Sequence, residues 1–184
     1  PFQSPHHSVS LPALVGGSTI PKPGMISLAH RGVLFLDELP EFQRAALDSL
    51  RQPLEEREIH IARVNGTVTY PSNFMLVCAM NPCPCGFYPD RNRCRCTEPQ
   101  IRRYMGKVSG PILDRIDLCV ELQAVDIASL KNCNKGESSG RIRERIVGAR
   151  EIQRERFRGT KYQFNGDVEA AAMEIFCALG EKGQ

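Results

Sequence analysis

The sequence predicts an α/β fold in which helices flank a parallel sheet and a β-hairpin is inserted. Two continuous apolar runs, residues 33–36 and 74–80, are typical of strands that are covered on both faces. A helical pattern follows the first run at residues 41–56, and Asn65-Gly66 lies between stretches of alternating apolar residues, the strongest short signal for a hairpin. Strands that alternate with helices favour a parallel sheet over an all-β fold.

The composition limits the class of protein. With 184 residues the chain can bury one domain core, or one core with a small appendage. The formal net charge of +3 is too small to predict a polyanionic partner by itself. No apolar stretch approaches the roughly 18 residues of a membrane-spanning helix, and residues 1–10 lack the layout of a signal peptide. We therefore expect a soluble, cytoplasmic protein with no membrane partner.

The segment before the first strand contains prolines and glycines at short intervals, which leaves room only for short regular elements. His6 and His7 lie in this segment. They fit surface histidines of a loop, and they also fit residues that contact a nucleotide or a neighbouring subunit. The sequence leaves both interpretations open.

The first buried strand ends at two carboxylates, Asp37 and Glu38. In open α/β sheets, ligands bind at the carboxyl ends of the strands. Adjacent carboxylates suit the hydrolysis of a phosphoanhydride, with Asp37 holding a hydrated Mg²⁺ and Glu38 activating a water. The alternative is an acidic N-terminus for the following helix, which Pro53 should end or kink.

Two further polar residues stand at strand ends. Asn81 ends the second buried strand, where an amide can orient an attacking water without adding charge; the alternative is a turn-forming asparagine before a proline. Arg115 precedes a third apolar run and lies between Asp114 and Asp117. It could pair with either aspartate at the surface, or it could neutralise a phosphoryl group that an adjacent subunit binds.

The rest of the chain is predicted to be mainly helical. The predicted elements are, in order, a helix capped by Thr97 and Gln100, a third strand at residues 118–122, an amphipathic helix at residues 138–157, and a last helix from the N-cap Asp167 to Gly180.

A group of four cysteines follows Asn81. The pairs Cys83-Pro-Cys85 and Cys94-Arg-Cys96 are separated by eight residues, enough to present four thiolates to one zinc ion. The C-x-C spacing is shorter than the usual C-x₂₋₄-C spacing, so reduced free thiols and a disulfide or redox switch stay open as alternatives. We expect the other cysteines in the core (Cys78, Cys119, Cys177) or in a loop (Cys133).

Three motifs in this order, GVLFLDELPEF, FMLVCAMNPCPCG and SGPILDRIDL, resemble the magnesium-chelatase-like AAA+ ATPases of the ComM/YifB group. The opening PFQSPHHSVSLPALVGG and the segment PKPGMISLAHRG resemble the same group, so the resemblance covers about residues 1–158. It implies a partial AAA+ P-loop NTPase core at residues 1–130 and the start of a C-terminal helical lid at residues 131–184.

The resemblance also implies roles for individual residues. Asp37 resembles the Mg²⁺-associated carboxylate of the Walker B strand, and Glu38 resembles the catalytic base. Asn81 is similar to the sensor-1 residue, and Arg115 is similar to the arginine finger that acts on the nucleotide of the adjacent subunit. The hairpin is similar to the pre-sensor-1 hairpin of related ring motors, which makes Arg63, near its tip, the candidate for DNA contact.

The sequence departs from the family pattern in two respects: it contains no G-x-x-x-x-G-K-[ST] loop, and in its short lid no residue matches the family's sensor-2 arginine. We therefore expect the phosphate loop upstream of Pro1, and we expect these 184 residues to be inactive by themselves.

The implied function is a Mg²⁺-dependent ATPase that forms a ring, expected to be a hexamer, and acts on DNA in ComM-like branch migration or as a helicase. The cofactors are ATP and Mg²⁺, with zinc expected at the cysteines. Two alternatives stay open: a chelatase-type ATPase that remodels a protein partner, and a non-catalytic module that binds zinc or nucleic acid.

Overall fold

The structure, a computed structural model, describes residues 1–17, 21–63, 66–122 and 136–178. The chain divides into two compact units, Pro1–Glu121 and Leu122–Gln184. The domain boundary expected near residue 130 lies outside the described residues, and the domain division stays a prediction.

Five strands are present in the described part of the first unit, and three of them form the predicted parallel sheet. The strands are β1 (Phe2–Gln3), β2 (Val33–Leu36), β3 (Glu58–Arg63), β4 (Gly66–Pro71) and β5 (Met75–Cys78). The sheet has the order β1-β2-β5 with all neighbours parallel, while β3 and β4 form an antiparallel hairpin. This topology confirms the parallel sheet and the hairpin of the predicted α/β class.

Short helices connect and flank the strands. They are α1 (Leu11–Val15), α2 (Met25–Leu28), α3 (Arg44–Asp48), α4 (Arg51–Glu56), α5 (Glu98–Met105) and α6 (Gly110–Leu113), all in the first unit. The second unit contains the longer helix α7 (Ser139–Arg156) and the short helix α8 (Met173–Phe176). One-turn 3₁₀ helices lie at Leu39–Glu41, Asn165–Asp167 and Ala170–Ala172. Helix α5 begins after Thr97, whose backbone N–H donates to Gln100 Oε1 at 2.8 Å, as the capping pattern predicts.

The core of the first unit lies between β2, the surrounding helices and the hairpin. Its fully buried side chains include Leu14, Ile26, Leu34, Leu36, Leu39, Leu47, Leu50 and Ile112, with Ile59 and Ile61 of β3 packed into the same cluster. The hairpin is further tied to the loop after α1, because the Tyr70 hydroxyl donates to the Pro21 carbonyl at 3.0 Å. Its turn residue Asn65 lies outside the described residues.

The helix expected at residues 41–56 forms as two pieces, and the prediction for Pro53 was wrong. The break falls at Ser49 and Leu50, between α3 and α4. Pro53 lies in the first turn of α4, where backbone N–H groups have no partner within the helix, so a missing N–H costs little there.

The third strand expected at residues 118–122 does not form, because residues 117–122 carry no strand pairing. The alternating side chains Leu118, Val120 and Leu122 are 85%, 79% and 89% exposed. A period-2 pattern identifies a sequence that can form a strand, but a strand also needs a neighbour to pair with. In the described part of the sheet, β1, β2 and β5 pair only with one another.

The second unit contains the predicted long helix α7, which begins after Ser138 and whose residues are all at least partly exposed. Of the described residues of the last predicted helix, only Met173–Phe176 (α8) are α-helical, and its predicted end at Gly180 lies outside the described residues. Asp167 does not cap it: its Oδ2 instead accepts the backbone N–H groups of Gln163 and Phe164 at 3.0 and 2.9 Å. No helix in the described ranges has the length and apolar character to cross a membrane.

Candidate nucleotide site and cysteine cluster

Asp37 and Glu38 follow β2 directly and are both exposed at its carboxyl end. The backbone N–H of Glu38 donates to Asp37 Oδ1 at 2.9 Å. Glu38 adopts the left-handed conformation, with φ 53° and ψ 45°, before the chain enters the 3₁₀ turn with Leu39 and Pro40 buried. A non-glycine residue in this region costs of order 1–3 kcal/mol and is found preferentially at functional sites. The two carboxylates therefore extend into solvent from a tight, strained turn.

Asn81 lies at the same edge of the sheet as this turn. Leu36 pairs with Cys78 in the parallel ladder, the Ala79 N–H donates to the Leu36 carbonyl at 2.9 Å, and the Leu39 N–H donates to the Ala79 carbonyl at 3.0 Å. These bonds join the residues on either side of Asp37 and Glu38 to the strand end that leads to Asn81. The structure thus brings Asp37, Glu38 and Asn81 to the adjacent carboxyl ends of two paired parallel strands, where ligands bind in such folds.

His7 is a neighbour of the site that the sequence left undecided. Its Nε2 lies 3.6 Å from Glu38 Oε2, close enough for an ion pair when the imidazole is protonated. The rings of His6 and His7 are tilted by 36° with their centroids 4.0 Å apart, and His6 Nδ1 is hydrogen-bonded to Ser8 Oγ at 2.8 Å. The contact with Glu38 places His7 beside the candidate site.

The chemistry of the site fits a hydrated divalent cation. Carboxylate oxygens are the ligands Mg²⁺ prefers, and Mg²⁺ usually keeps several waters while one or two protein carboxylates and substrate phosphates complete its coordination. The Asp37 carboxylate is exposed, and it keeps its second oxygen beyond the one that accepts the Glu38 N–H.

The contacts that the structure describes for Arg115 do not involve Asp37, Glu38 or Asn81. It follows α6, its Nη1 donates to the Pro111 carbonyl, and its Nη2 pairs with the carboxylate of Glu55 in α4. The recorded ion pair is therefore with Glu55 rather than with Asp114 or Asp117. The buried Nε has no hydrogen-bond partner within the part of the chain that the structure describes.

Arg63, the candidate for DNA contact, is the last residue of β3 and pairs with Gly66 across the hairpin. Its backbone thus lies beside the turn. Its side chain, and residues 64 and 65 of the turn, lie outside the described residues.

The four clustered cysteines are brought together as predicted from their spacing. Their Sγ atoms all lie within 4.8 Å of one another, and the distances from Cys83 to Cys85, from Cys83 to Cys94 and from Cys85 to Cys94 are 3.4, 3.8 and 3.6 Å. Tetrahedral zinc with Zn–S bonds of about 2.3 Å places its sulfurs about 3.8 Å apart. All described cysteines are free, and these separations are far above the roughly 2.05 Å of a disulfide bond.

The thiols of the cluster differ in how readily they ionise, since the pKa is lowered for Cys83 and Cys85 and raised for Cys94 and Cys96. Burial opposes ionisation of the Cys83 thiol, but hydrogen bonds, first the Tyr88 N–H at 3.4 Å, outweigh it and lower the Cys83 pKa. A hydrogen bond from the Phe87 backbone is the main cause that lowers the pKa of Cys85 to about 6. Burial is the main cause that raises the pKa of Cys96 to about 12. Because neighbouring thiolates repel one another, a cation among the four sulfurs would favour their thiolate forms.

The remaining cysteines behave differently from the cluster. Burial raises the pKa of Cys78 to about 11, which is typical of an unreactive core thiol and agrees with its predicted place. The core prediction was wrong for Cys119 and Cys177, which are both exposed. The prediction relied on the apolar residues next to these cysteines in the sequence, but those residues are themselves exposed, as Leu118 and Ile175 show. Cys133 lies outside the described residues.

Residues of the segment after Asn81 also lie near the candidate site, although no sequence pattern identified them. The Tyr104 side chain of α5 is only 7% exposed. Burial, followed by the charges of Glu41 and Glu38, raises the Tyr104 pKa. Lys107 Nζ donates to both carboxylate oxygens of Glu41 at 3.2 and 3.1 Å. Only a three-dimensional fold could reveal these contacts, since 66 residues separate Lys107 from Glu41.

The sequence is similar to one known family and to several known proteins. Residues 1–130 match the family described as magnesium chelatase, subunit ChlI. Competence protein ComM of Haemophilus influenzae is 50% identical over 183 residues, 99% of this chain and 35% of that protein. The uncharacterized protein YifB of Escherichia coli is 49% identical over 180 residues, 97% of this chain and 35% of that protein.

A more distant relative is the magnesium-chelatase 38 kDa subunit of Acidiphilium rubrum. It is 26% identical over 111 residues, which are 60% of this chain and 26% of that protein. The chain thus spans 35% of the length of its ComM and YifB relatives.

Proposed function

The chain belongs to the magnesium chelatase subunit ChlI family, and we propose that it forms part of a Mg²⁺-dependent ATPase whose water-activating site is Asp37, Glu38 and Asn81. Membership confirms the resemblance to the ComM/YifB group and the partial AAA+ core expected from the motifs. The observation that carries the proposal is the meeting of the three residues at adjacent carboxyl ends of β2 and β5.

Each residue of this site has a distinct role. Glu38 accepts the proton of the attacking water, because its exposed carboxylate extends from the strand end where ligands bind in such folds. Asn81 orients that water through its amide, which adds no charge beside the phosphates. Asp37 would hold the Mg²⁺, and the hydrogen bond from the Glu38 backbone N–H orients the Asp37 carboxylate. When bound, Mg²⁺ neutralises charge on the phosphates of ATP.

Arg115 acts on the nucleotide of a neighbouring subunit in a ring of this protein, for which we propose a hexamer. Support comes from its SGPILDRID motif and from the unpartnered Nε of its guanidinium, because a structural arginine would satisfy its buried donors. Charge neutralisation by such an arginine is worth roughly 10³–10⁵ in rate in well-studied phosphoryl-transfer enzymes.

We propose DNA as the substrate on which the ring acts, in the cytoplasm, with Arg63 beside the turn of the hairpin as a contact. The name of the H. influenzae relative, competence protein ComM, favours this interpretation over the alternative of protein remodelling. The alternative is favoured by the 26% identity to a magnesium-chelatase 38 kDa subunit.

The full-length protein that contains this chain distinguishes these functions. We expect Mg²⁺-dependent ATP turnover that single-stranded or branched DNA stimulates, and Arg63→Ala should reduce that stimulation while basal turnover is kept. His60→Ala, on the same strand, is the matched control. Turnover that DNA leaves unchanged would support the remodelling alternative, and an absence of Mg²⁺-dependent turnover would contradict the ATPase proposal itself.

We further propose that Cys83, Cys85, Cys94 and Cys96 hold one Zn²⁺ in a closed, structural site. Four thiolates at near-tetrahedral separations fill every position that zinc takes in structural sites. The N–H of Tyr88 supplies the outer hydrogen bond to Cys83 that ligating groups usually have.

Metal analysis of the purified protein tests this second site. We expect about one zinc per chain, and Co²⁺ substitution should give the charge-transfer and d–d absorption of a tetrahedral thiolate site. Cys94→Ser should lose the metal, and Cys119→Ser, at an exposed cysteine outside the cluster, should keep it. A well-folded protein without metal would refute the site.

A further inference from the structure

Residues 87–107, which follow the first cysteine pair, carry a concentration of positive charge. This segment contains six basic and two acidic residues, so its net charge of +4 exceeds the +3 of the whole chain. Zn²⁺ with four thiolates would carry a charge of −2, which leaves the segment positive. Four exposed arginines of the segment are here called the arginine surface: Arg93, Arg95, Arg102 and Arg103.

Helix α5 presents two of these arginines to solvent. Ile101 and Tyr104 form the buried face of the helix. Arg102 and Arg103 lie between them in the sequence, and the rotation of roughly 100° per residue places both arginines on the opposite face. The two guanidinium groups are therefore accessible to a partner.

The cysteine loop presents the other two arginines. Arg93 and Arg95 flank Cys94, which is buried in one small core with Ile101 of α5. Because the loop and the helix share this core, their exposed arginines belong to the same part of the molecular surface.

The acidic residues of the segment do not neutralise the arginine surface. Glu98 pairs with Arg91, which is not one of the four, and Asp90 Oδ1 accepts the Asn92 backbone N–H at 3.0 Å. Within the described ranges, the four arginines form no ion pair with any carboxylate. Their charge is thus available to an anionic partner.

An exposed aromatic ring adjoins the surface. The Arg93 guanidinium lies over the Phe87 ring, 4.1 Å from its centroid, and Phe87 is itself exposed. A guanidinium stacked on a ring keeps the N–H groups of its edge free to donate, and such a planar fork matches two phosphate oxygens at once. Several arginines on one surface suit the closely repeated charges of a nucleic acid backbone.

We propose that the arginine surface binds the phosphate backbone of DNA. This inference rests on the proposed action on DNA and deepens it, because it adds a contact region other than the hairpin. Binding at this surface is independent of base sequence, since phosphate contacts carry no sequence information directly.

The test measures binding of a fluorescently labelled DNA duplex to the full-length protein by anisotropy, without ATP, over a series of salt concentrations. We expect Arg102→Ala/Arg103→Ala to weaken binding at least about tenfold in roughly 0.1 M salt. The slope of log affinity against log salt concentration should fall by about 0.9 for each lost phosphate contact. Two duplexes of unrelated sequence should show the same losses.

Two further variants separate the charge of the surface from general effects. Arg31→Ala removes one exposed arginine before β2, at the opposite end of that strand from Asp37, and should keep the wild-type slope. Arg102→Lys/Arg103→Lys keeps both charges and should keep most of the slope. A slope that lysine lowers as much as alanine does would indicate a structural role and overturn the inference.

The remaining outcomes distinguish this inference from the proposed function. If Arg102→Ala/Arg103→Ala binds DNA with the wild-type affinity and slope, the inference is wrong, and an acidic protein surface becomes the candidate partner of these arginines. If DNA binds through the arginine surface but leaves ATP turnover unchanged, the inference is supported and the proposed action on DNA is contradicted.

Discussion

The Nε2 atom of His7 lies 3.6 Å from a carboxylate oxygen of Glu38, although 31 positions of the sequence separate the two residues. His7 follows β1 and Glu38 follows β2, and these two strands are parallel neighbours. The contact is therefore a direct consequence of the sheet order, which places the residues after both strands at the same edge. It links the candidate base to a segment that is otherwise rich in turns.

His7→Ala should lower ATP turnover in the full-length protein by about tenfold, because Glu38 loses the side chain that restrains its carboxylate. Affinity for an ATP analogue should stay unchanged. His60→Ala serves as the control, since His60 lies on the hairpin, where its ring is hydrogen-bonded to Thr69. Equal turnover in the His7→Ala variant and the wild type would show that the contact has no part in the reaction.

The left-handed conformation of Glu38 predicts that glycine at this position gives a more stable fold than a β-branched residue. Glu38→Gly and Glu38→Val both remove the carboxylate, but only glycine adopts φ 53° without strain. We expect the glycine variant to be more stable than the valine variant by about 1–2 kcal/mol in urea unfolding of this chain. Neither variant should support turnover in the full-length protein. A valine variant as stable as the glycine variant would contradict the backbone conformation.

Replacing Arg115 and replacing Glu55 should affect ATP turnover to different extents. Glu55→Ala removes the ion-pair partner and should leave turnover within about twofold of wild type, because an exposed carboxylate contributes little as a pair. Arg115→Ala should abolish most turnover. If both variants lose turnover equally, the role of Arg115 is to pair with Glu55 within its own chain.

Mixing variant subunits tests whether Arg115 acts across a subunit boundary. Arg115→Ala and Glu38→Gln subunits are each expected to be inactive alone. A mixture should recover turnover, because some boundaries then combine an intact Glu38 with an intact Arg115 from the neighbour. A mixture as inactive as its components would place Arg115 in its own subunit's chemistry.

The parts of the fold that the sequence predicted are those that depend on local pattern. The run at residues 33–36 forms the predicted strand, but burial on both faces was wrong: Leu34 and Leu36 on one face are fully buried, while Val33 and Phe35 on the other are only half-buried. The helix after Thr97 begins where its capping pair predicts. The cysteine spacing likewise predicted the cluster, since two close pairs on one loop can meet without help from the rest of the chain.

The parts that the sequence could not predict depend on partners far away in the chain. The alternating residues 118–122 form no strand because no described neighbour pairs with them, and pattern alone does not record a neighbour. The prediction that Pro53 ends or kinks a helix was wrong because the effect of a proline depends on how far it lies from the helix start. The contacts of Glu38 with His7, and of Glu41 with Lys107, arise only when the sheet and the segment after α5 are assembled.

The measurement that tests the account most directly is ATP binding and turnover by Glu38→Gln in the full-length protein. Glutamine keeps the size and polarity of the side chain but cannot accept the proton of water at neutral pH. We predict that the variant binds ATP with Mg²⁺ as tightly as the wild type and hydrolyses it at least about 100-fold more slowly. Turnover at the wild-type rate would remove Glu38 from the role of base and contradict the central claim.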